Sequence, residues 1–403
     1  MKKILFVDDE LNVLLALRRM LRSMRHEWEM EFATSGKEAL EMLAKSHVDV
    51  IVTDMRMPNI SGVELLNEVK KQYPHIIRII LSGQADEEAI MRSVGPIHQY
   101  LAKPCDPEML KSVLTRAFSL RDLLADEKIK QLVSQMESLP SLPSLYHELM
   151  NELQSPNISF KSVAKIISQD IGMSSKILQL VNSAFFGVSQ HVSSPEQAVG
   201  LLGLDVIRSL VLSVQVFKQF DSIALEGISL DAIWEHSRMV SLFAKRIAEV
   251  ENTDSRTKDY AYVAGLLHDV GKLVLIANMP VEYELIFKKV VEEKITLTEG
   301  EIEIFGVSHE KIGAYLMGLW GFADPVIEAL AFHHNPMQFF AKGFSPLTAV
   351  YVANVLEHHM YPERSMSYLQ NVDLSYLEKL GLSEKLSKWQ ELCEKTIKEE
   401  VVE

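Results

Sequence analysis

Short apolar runs bounded by polar residues set the pattern of the first 120 residues. Ile4-Leu5-Phe6-Val7, Val50-Ile51-Val52, Ile79-Ile80-Leu81 and Tyr100-Leu101-Ala102 are too short for buried helices and mostly rich in β-branched or large apolar side chains. That is the signature of strands covered on both faces. The pattern predicts strands at 3–7, 28–33, 49–53, 76–81 and 98–102. Between and after them, apolar positions recur at helical spacing near 10–24, 36–45, 61–72, 86–94 and 107–120. The last helix has a clean start, because Asp106 can cap it and Pro107 suits its first position. Strands alternating with helices predict an α/β domain at 1–120, a doubly wound, flavodoxin-like parallel sheet of five strands.

The pattern then changes. Residues 121–137 read as a charged helical connector, with apolar positions at Ile129, Leu132, Val133 and Met136 but no sustained heptad. Leu139-Pro140-Ser141-Leu142-Pro143 punctuates the chain and marks a boundary. From there helical periodicity dominates and strand alternation is almost absent. Residues 138–340 read as an all-α domain, and 341–403 as a helical extension packed on it. Leu382, Leu386, Trp389, Cys393 and Ile397 form one stripe on that extension, the spacing of core packing.

Composition narrows the function classes. A chain of 403 residues with 47% hydrophobic content supports two or three packed domains. The only cysteines, Cys105 and Cys393, are far apart, which excludes a disulfide framework and fits a reducing cytoplasm. The first residues do not resemble a signal peptide, and no apolar run reaches about 18 residues, so the expected location is cytoplasmic with no membrane span. The net charge of −14 is uneven: residues 1–120 hold 16 Lys/Arg against 17 Asp/Glu, leaving −13 for the rest. An acidic C-terminal portion argues against nucleic acid and anionic membrane as partners, since both need clustered Lys/Arg.

Polar residues follow four of the apolar runs: Asp8–Asp9, Asp54, Ser82 and Lys103–Pro104. Loops at the carboxyl ends of parallel strands converge on one crevice. That crevice would collect three carboxylates, a hydroxyl and an ammonium, a set suited to a divalent cation and a phosphoryl group. Asp54 is the best nucleophile, Lys103 would neutralise the transferred charge, and Ser82 would hydrogen-bond a phosphoryl oxygen. Any one of these alone would be an ordinary strand-end polar residue; four at four strand ends argue for a site.

These residues carry a resemblance. Val7-Asp8-Asp9-Glu10, Asp54-Met55-Arg56-Met57-Pro58, Ser61-Gly62, Leu81-Ser82-Gly83 and Lys103-Pro104 resemble the receiver domain of two-component response regulators, across 1–120. The resemblance implies that Asp54 is the phosphoacceptor and that Asp8, Asp9, Asp54 and the Arg56 carbonyl hold Mg2+. It also implies that Tyr100 is the switch aromatic, that Lys103–Pro104 is cis, and that a sensor histidine kinase is the partner.

The helical portion scatters His236, His268–Asp269, His309 and His333–His334 along the chain, with Lys272 one turn beyond His268 and Asn354 further on. An apolar segment with His-Asp in its middle must satisfy both groups, and a cation would do so. Lys272 would be placed to meet a phosphate. The remaining candidates His47, His75, His191 and His358 read as caps or core hydrogen-bonders. Leu139–Pro143, Ile167–Leu178, Val181-Asn182-Ser183-Ala184-Phe185-Phe186-Gly187 and Leu201–Leu204 resemble the HDOD family, the non-enzymatic relative of HD-type metal phosphohydrolases. HD-GYP cyclic-dinucleotide phosphodiesterases are the related enzymes, but here Asn335-Pro336 follows His333–His334 where their Gly-Tyr-Pro signature would stand. Asn354 stands where a ligand aspartate is expected, and Ala232 cannot supply a bridging carboxylate. The resemblance therefore implies a protein-binding output domain, leaning away from an enzyme, whose histidine site is either vestigial or holds a single Fe, Mn or Zn. The alternative is a receiver-regulated metal phosphohydrolase. Homodimerisation stays open.

Overall fold

The computed structural model describes residues 1–82, 97–121, 124, 127–134, 136, 140–141, 143–155, 158–182, 192–204, 207, 218–219, 230–339, 343–362 and 371–400. β1 (Lys2–Val7), β2 (Trp28–Ala33), β3 (Val50–Asp54), β4 (Ile77–Ser82) and β5 (Gln99–Ala102) form one sheet in the order β2-β1-β3-β4-β5, parallel throughout. Each strand lies within one residue of its expected bounds. Ile4, Phe6, Val50, Val52, Ile77 and Ile79 pack on one face of the sheet, and Leu5, Val7, Ile51 and Ile80 on the other. This two-sided burial is why these strands read as unbroken apolar runs.

Helices Leu11–Met20, Gly36–Leu43, Gly62–Gln72 and Pro107–Arg121 flank the sheet. The first is shorter than its periodicity suggested, because the chain passes into a 3-10 turn at Arg22–Met24. Asp106 Oδ1 accepts from the Met109 N–H at 2.9 Å, so the expected cap is formed. Ser61 and Glu64 close a capping box at the start of Gly62–Gln72. The helix expected at 86–94 lies outside the described residues.

Within the expected connector, 121–137, the structure describes a helix, Glu127–Ser134, separate from Pro107–Arg121. Ile129 and Val133 are buried in a core shared by one face of the sheet and the helical portion. The Arg78 guanidinium, on β4, donates to the Ser134 carbonyl at 2.5 Å. A segment whose apolar side is covered and whose end is bonded to the sheet is a packed strut.

In the helical portion Leu230–Val250, Ser255–Leu267 and Pro346–Met360 pack together as the centre. Ser255–Asn278 is long and apolar enough to cross a membrane by length and composition, but 83% of that window is buried inside the protein and the helix breaks at His268–Asp269. Trp389 and Cys393 of Leu386–Glu400 are fully buried, and Trp389 Nε1 donates to Glu251 Oε1 at 3.1 Å. The C-terminal stripe is therefore core. A two-residue parallel ladder, Pro140–Ser141 with Lys218–Gln219, adds strand where the pattern suggested almost none.

Candidate functional site

The sheet order reverses between β1 and β3, so the residues after these strands open onto the crevice where such sheets bind ligands. Asp8 follows β1, Asp54 ends β3, Ser82 ends β4 and Lys103 follows β5. Lys103 Nζ donates to Asp8 Oδ2 at 2.7 Å and to Asp54 Oδ1. The Arg56 N–H donates to Asp54 Oδ2 at 2.9 Å and the Glu10 N–H to Asp8 Oδ1 at 2.9 Å. Burial pushes the Asp54 carboxyl upward, and Lys103 offsets this only in part. Burial pulls Lys103 down, but its bonds to Asp54 and Asp8 outweigh that and raise it. The ammonium is thus held charged beside two acceptor-only carboxylates.

Asp9 is exposed at the rim of the crevice, and Tyr100 is buried on β5. The Ser82 side chain lies outside the described residues. Lys103–Pro104 is cis. Gly62 is needed where it stands, since a Cβ there would fall 1.9 Å from the Asp54 carbonyl oxygen. The donor set of Asp8, Asp9 and Asp54 is all hard oxygen, which fits Mg2+.

A second cluster forms in the helical portion from segments far apart in sequence. His236 lies within Leu230–Val250, His268 and Asp269 at the break between two helices, His309 at the start of His309–Leu319, and His333 at the end of Asp324–Phe332. All six expected residues converge. One ligand atom each of Asp269, His309, His333 and His334 lies within 4.8 Å of the others, and the same holds for His236, His268 and Asp269. Asp269 is the shared member: its Oδ1 lies 3.3 Å from His309 Nε2 and 3.7 Å from His333 Nε2, and its Oδ2 lies 3.5 Å from His268 Nε2.

Four imidazoles are oriented from behind. The Nδ1 of His268 faces the Gly265 carbonyl at 2.7 Å, that of His333 the Leu330 carbonyl at 2.8 Å, that of His309 Glu301 Oε2 at 2.6 Å, and that of His236 Glu357 Oε2. This leaves each Nε2 turned toward Asp269, the usual arrangement of metal-ligating histidines. Asp269 Oδ1, His309 Nε2 and His333 Nε2 are buried without a well-aligned hydrogen-bond partner. Three converging orphaned atoms of this kind fit a cation, and imidazole with carboxylate suits Fe, Mn or Zn.

Burial lowers His268 to about 4 and holds His333 and His334 well below the usual imidazole range. Burial opposes ionisation of Asp269, but His268 and Lys272 outweigh it and keep this carboxyl well below its ordinary value. His309 runs the other way: burial would lower it, yet Glu301 and Glu310 raise it to about 10. A cation ligated at His309 Nε2 would take the place of a proton.

Three features depart from the sequence reading. Lys272 is buried and donates to Asp269 Oδ2 at 2.6 Å, a one-turn pairing, instead of standing ready for a phosphate. His358 joins the cluster: its ring stacks on His236 at 4.4 Å. Glu357 and Glu301, both fully buried, were not anticipated. Glu357 had a signal, because it lies one helical turn from Asn354 on the same face. Glu301 had none, since its bond to His309 depends on the turn around Gly306. Among the others, His47 faces Asp49 at 3.1 Å and stacks on His75, and His191 lies outside the described residues.

Residues 4–115 match the response regulator receiver domain family, and residues 139–336 match the HDOD domain family. An uncharacterized protein of Treponema pallidum is 26% identical over 260 residues, covering 64% of this chain and 48% of that protein. The hydrogenase transcriptional regulatory protein HoxA of Cupriavidus necator is 38% identical over 125 residues, 30% of this chain and 25% of that protein. This chain thus spans about half or less of the length of these relatives. The MmoQ response regulator of Methylococcus capsulatus is 24% identical, with 60% of this chain and 97% of that chain covered and a TM-score of 0.48. The chain belongs to the response regulators of two-component signalling, with a receiver domain joined to an HDOD domain.

Proposed function

We propose that Asp54 accepts a phosphoryl group from a sensor histidine kinase and that this controls a protein-binding output in the HDOD domain. The observation that carries this reading is the Lys103 ammonium held between Asp8 and Asp54 at the sheet's switch point. An Asp54 oxygen bonds to phosphorus as the donor's imidazole nitrogen leaves. Lys103 then faces the new phosphoryl oxygens, and Ser82 and Tyr100 follow as the responding residues. Asp8, Asp9, Asp54 and the Arg56 carbonyl would hold Mg2+, which supplies charge neutralisation for the transfer. The domain division on this reading is 1–120, 121–137, 138–340 and 341–403. Labelling by a small phosphodonor tests the acceptor: Asp54→Asn should abolish it, and persistent labelling would place the acceptor elsewhere.

The convergence of His236, His268, Asp269, His309, His333 and His334 favours a second reading, a metal phosphohydrolase acting on cyclic dinucleotides or nucleotides. These residues would ligate Fe, Mn or Zn, and the bound metal would activate water. Asn354, a neutral amide, and Ala232 leave the site short of carboxylates, which is why the binding output is preferred. Hydrolysis of a cyclic dinucleotide by protein loaded with Mn2+ or Fe2+ would overturn that preference; its absence under both loadings would support it.

A further inference from the structure

The receiver and the strut Glu127–Ser134 both rest on the helix that begins with His309. The Gln99 side-chain amide, on β5, donates to the Gly318 carbonyl at 3.2 Å, and Ser134 Oγ lies in hydrogen-bond contact with Tyr315 OH at 3.2 Å. Arg116 donates to the Phe322 carbonyl at 2.9 Å and pairs with Asp324 at 2.5 Å, just beyond the helix. At the other end, His309 presents Nε2 to Asp269 Oδ1 at 3.3 Å. That end cannot shift alone. A Cβ on Gly271 would lie 2.0 Å from the His309 carbonyl oxygen, and one on Gly313 would lie 3.3 Å from the Gly271 nitrogen. Backbone therefore packs on backbone, and the helix is tied directly to the His268–Asp269 segment. His309–Leu319 is one rigid element roughly 16 Å long, with the candidate cation position at its start and the receiver at its finish.

The receiver's own site reaches the same contact in four residues. Gln99 begins β5, Ala102 ends it, and Lys103 follows. A cavity of about 230 Å³ at the junction, lined in part by Tyr100, Arg116, Gln179 and Trp320, gives side chains room to repack there. In the described arrangement Lys103 bridges Asp8 and Asp54 while Gln99 is docked on Gly318. On the reading proposed above, on which this step rests, a phosphoryl group on Asp54 draws Lys103 from Asp8 and disturbs β5. We infer that the helix His309–Leu319 couples the two sites, so that phosphorylation of Asp54 weakens cation binding at Asp269, His309 and His333. By linkage, a cation bound there disfavours phosphorylation to the same degree.

Mn2+ titration of the full chain in excess Mg2+, with free Mn2+ counted by electron paramagnetic resonance, tests this before and after treatment with a small phosphodonor. The excess Mg2+ keeps the oxygen-only receiver site from contributing. The phosphorylated chain should bind Mn2+ at least about 5-fold more weakly. The phosphodonor should change nothing in Asp54→Asn, and Arg116→Ala should narrow the difference. Equal affinity in both states, or tighter binding after phosphorylation, overturns the coupling and leaves the site reading standing. Binding that survives undiminished in His309→Ala overturns it as well, and no Mn2+ binding in either state overturns the coupling and the cation site together, while the Asp54 assignment stands or falls on its labelling.

Discussion

His236 and His268 meet Nε2 to Nε2 at 3.1 Å. The Nδ1 of His268 faces the Gly265 carbonyl and so carries its hydrogen, and burial lowers the ring to about 4, which keeps it neutral. Its Nε2 is therefore an acceptor only. The contact needs either a hydrogen on His236 or a cation between the rings.

A cation bound to the folded chain and not to the unfolded one adds stability by mass action, about 2.7 kcal/mol when its free concentration is 100 times its dissociation constant. Dialysis against a chelator and then into excess Mg2+, which keeps the receiver site filled, should therefore lower the thermal midpoint, and Mn2+ or Zn2+ should restore it, with His268→Ala insensitive to the added metal. A midpoint indifferent to chelator and metal would argue that the histidines are held by protons alone.

Glu357 accepts from His236 Nδ1, the position from which a carboxylate raises imidazole basicity and fixes the ring. Glu357→Gln keeps the shape and removes the charge. It should weaken metal binding by about 10- to 100-fold while leaving Asp54 labelling intact. Metal affinity equal to that of the unaltered chain would remove Glu357 from the site.

His98 links the receiver to the strut and sets a pH dependence. The Arg78 N–H donates to His98 Nδ1 at 3.0 Å, and His98 Nε2 faces the Ser134 carbonyl at 2.9 Å. Burial, then the Arg78 charge, hold its pKa well below the ordinary 6.5. The folded chain thus keeps His98 neutral while the unfolded chain protonates it near 6.5, so its contribution is complete above that pH and is lost as pH falls below it. His268, His333, His334 and His358 act in the same direction, and His309, whose pKa is raised, acts in the opposite one. The test is therefore the difference between the unaltered chain and His98→Gln in urea midpoint from pH 8 to pH 5, a range chosen to span roughly the ordinary imidazole value. The loss on acidification should be smaller in the variant; parallel curves would refute the assignment.

The receiver was legible because its information is local. Each strand is a short run covered on both faces, so Ile4–Val7 and Ile79–Leu81 could be placed almost to the residue, and the strand ends brought Asp8, Asp54 and Lys103 together. The histidines could be collected but not arranged. Asp269 becomes the shared member only when helices distant in sequence converge, and Glu301 reaches His309 only through the geometry of the turn at Gly306. Lys272 was misread because its nearest partner lies one turn back, at Asp269, not out in a ligand. The docking of Gln99 on Gly318 spans 219 residues and leaves no pattern in either segment.

The central claim is that chemistry at Asp54 acts on the HDOD domain through the helix that begins at His309. Amide hydrogen exchange across His309–Leu319, with and without a small phosphodonor, tests it most directly. The account predicts a change in protection over this helix in the unaltered chain and none in Asp54→Asn. Unchanged protection in the phosphorylated chain, or the same change in Asp54→Asn, would contradict it.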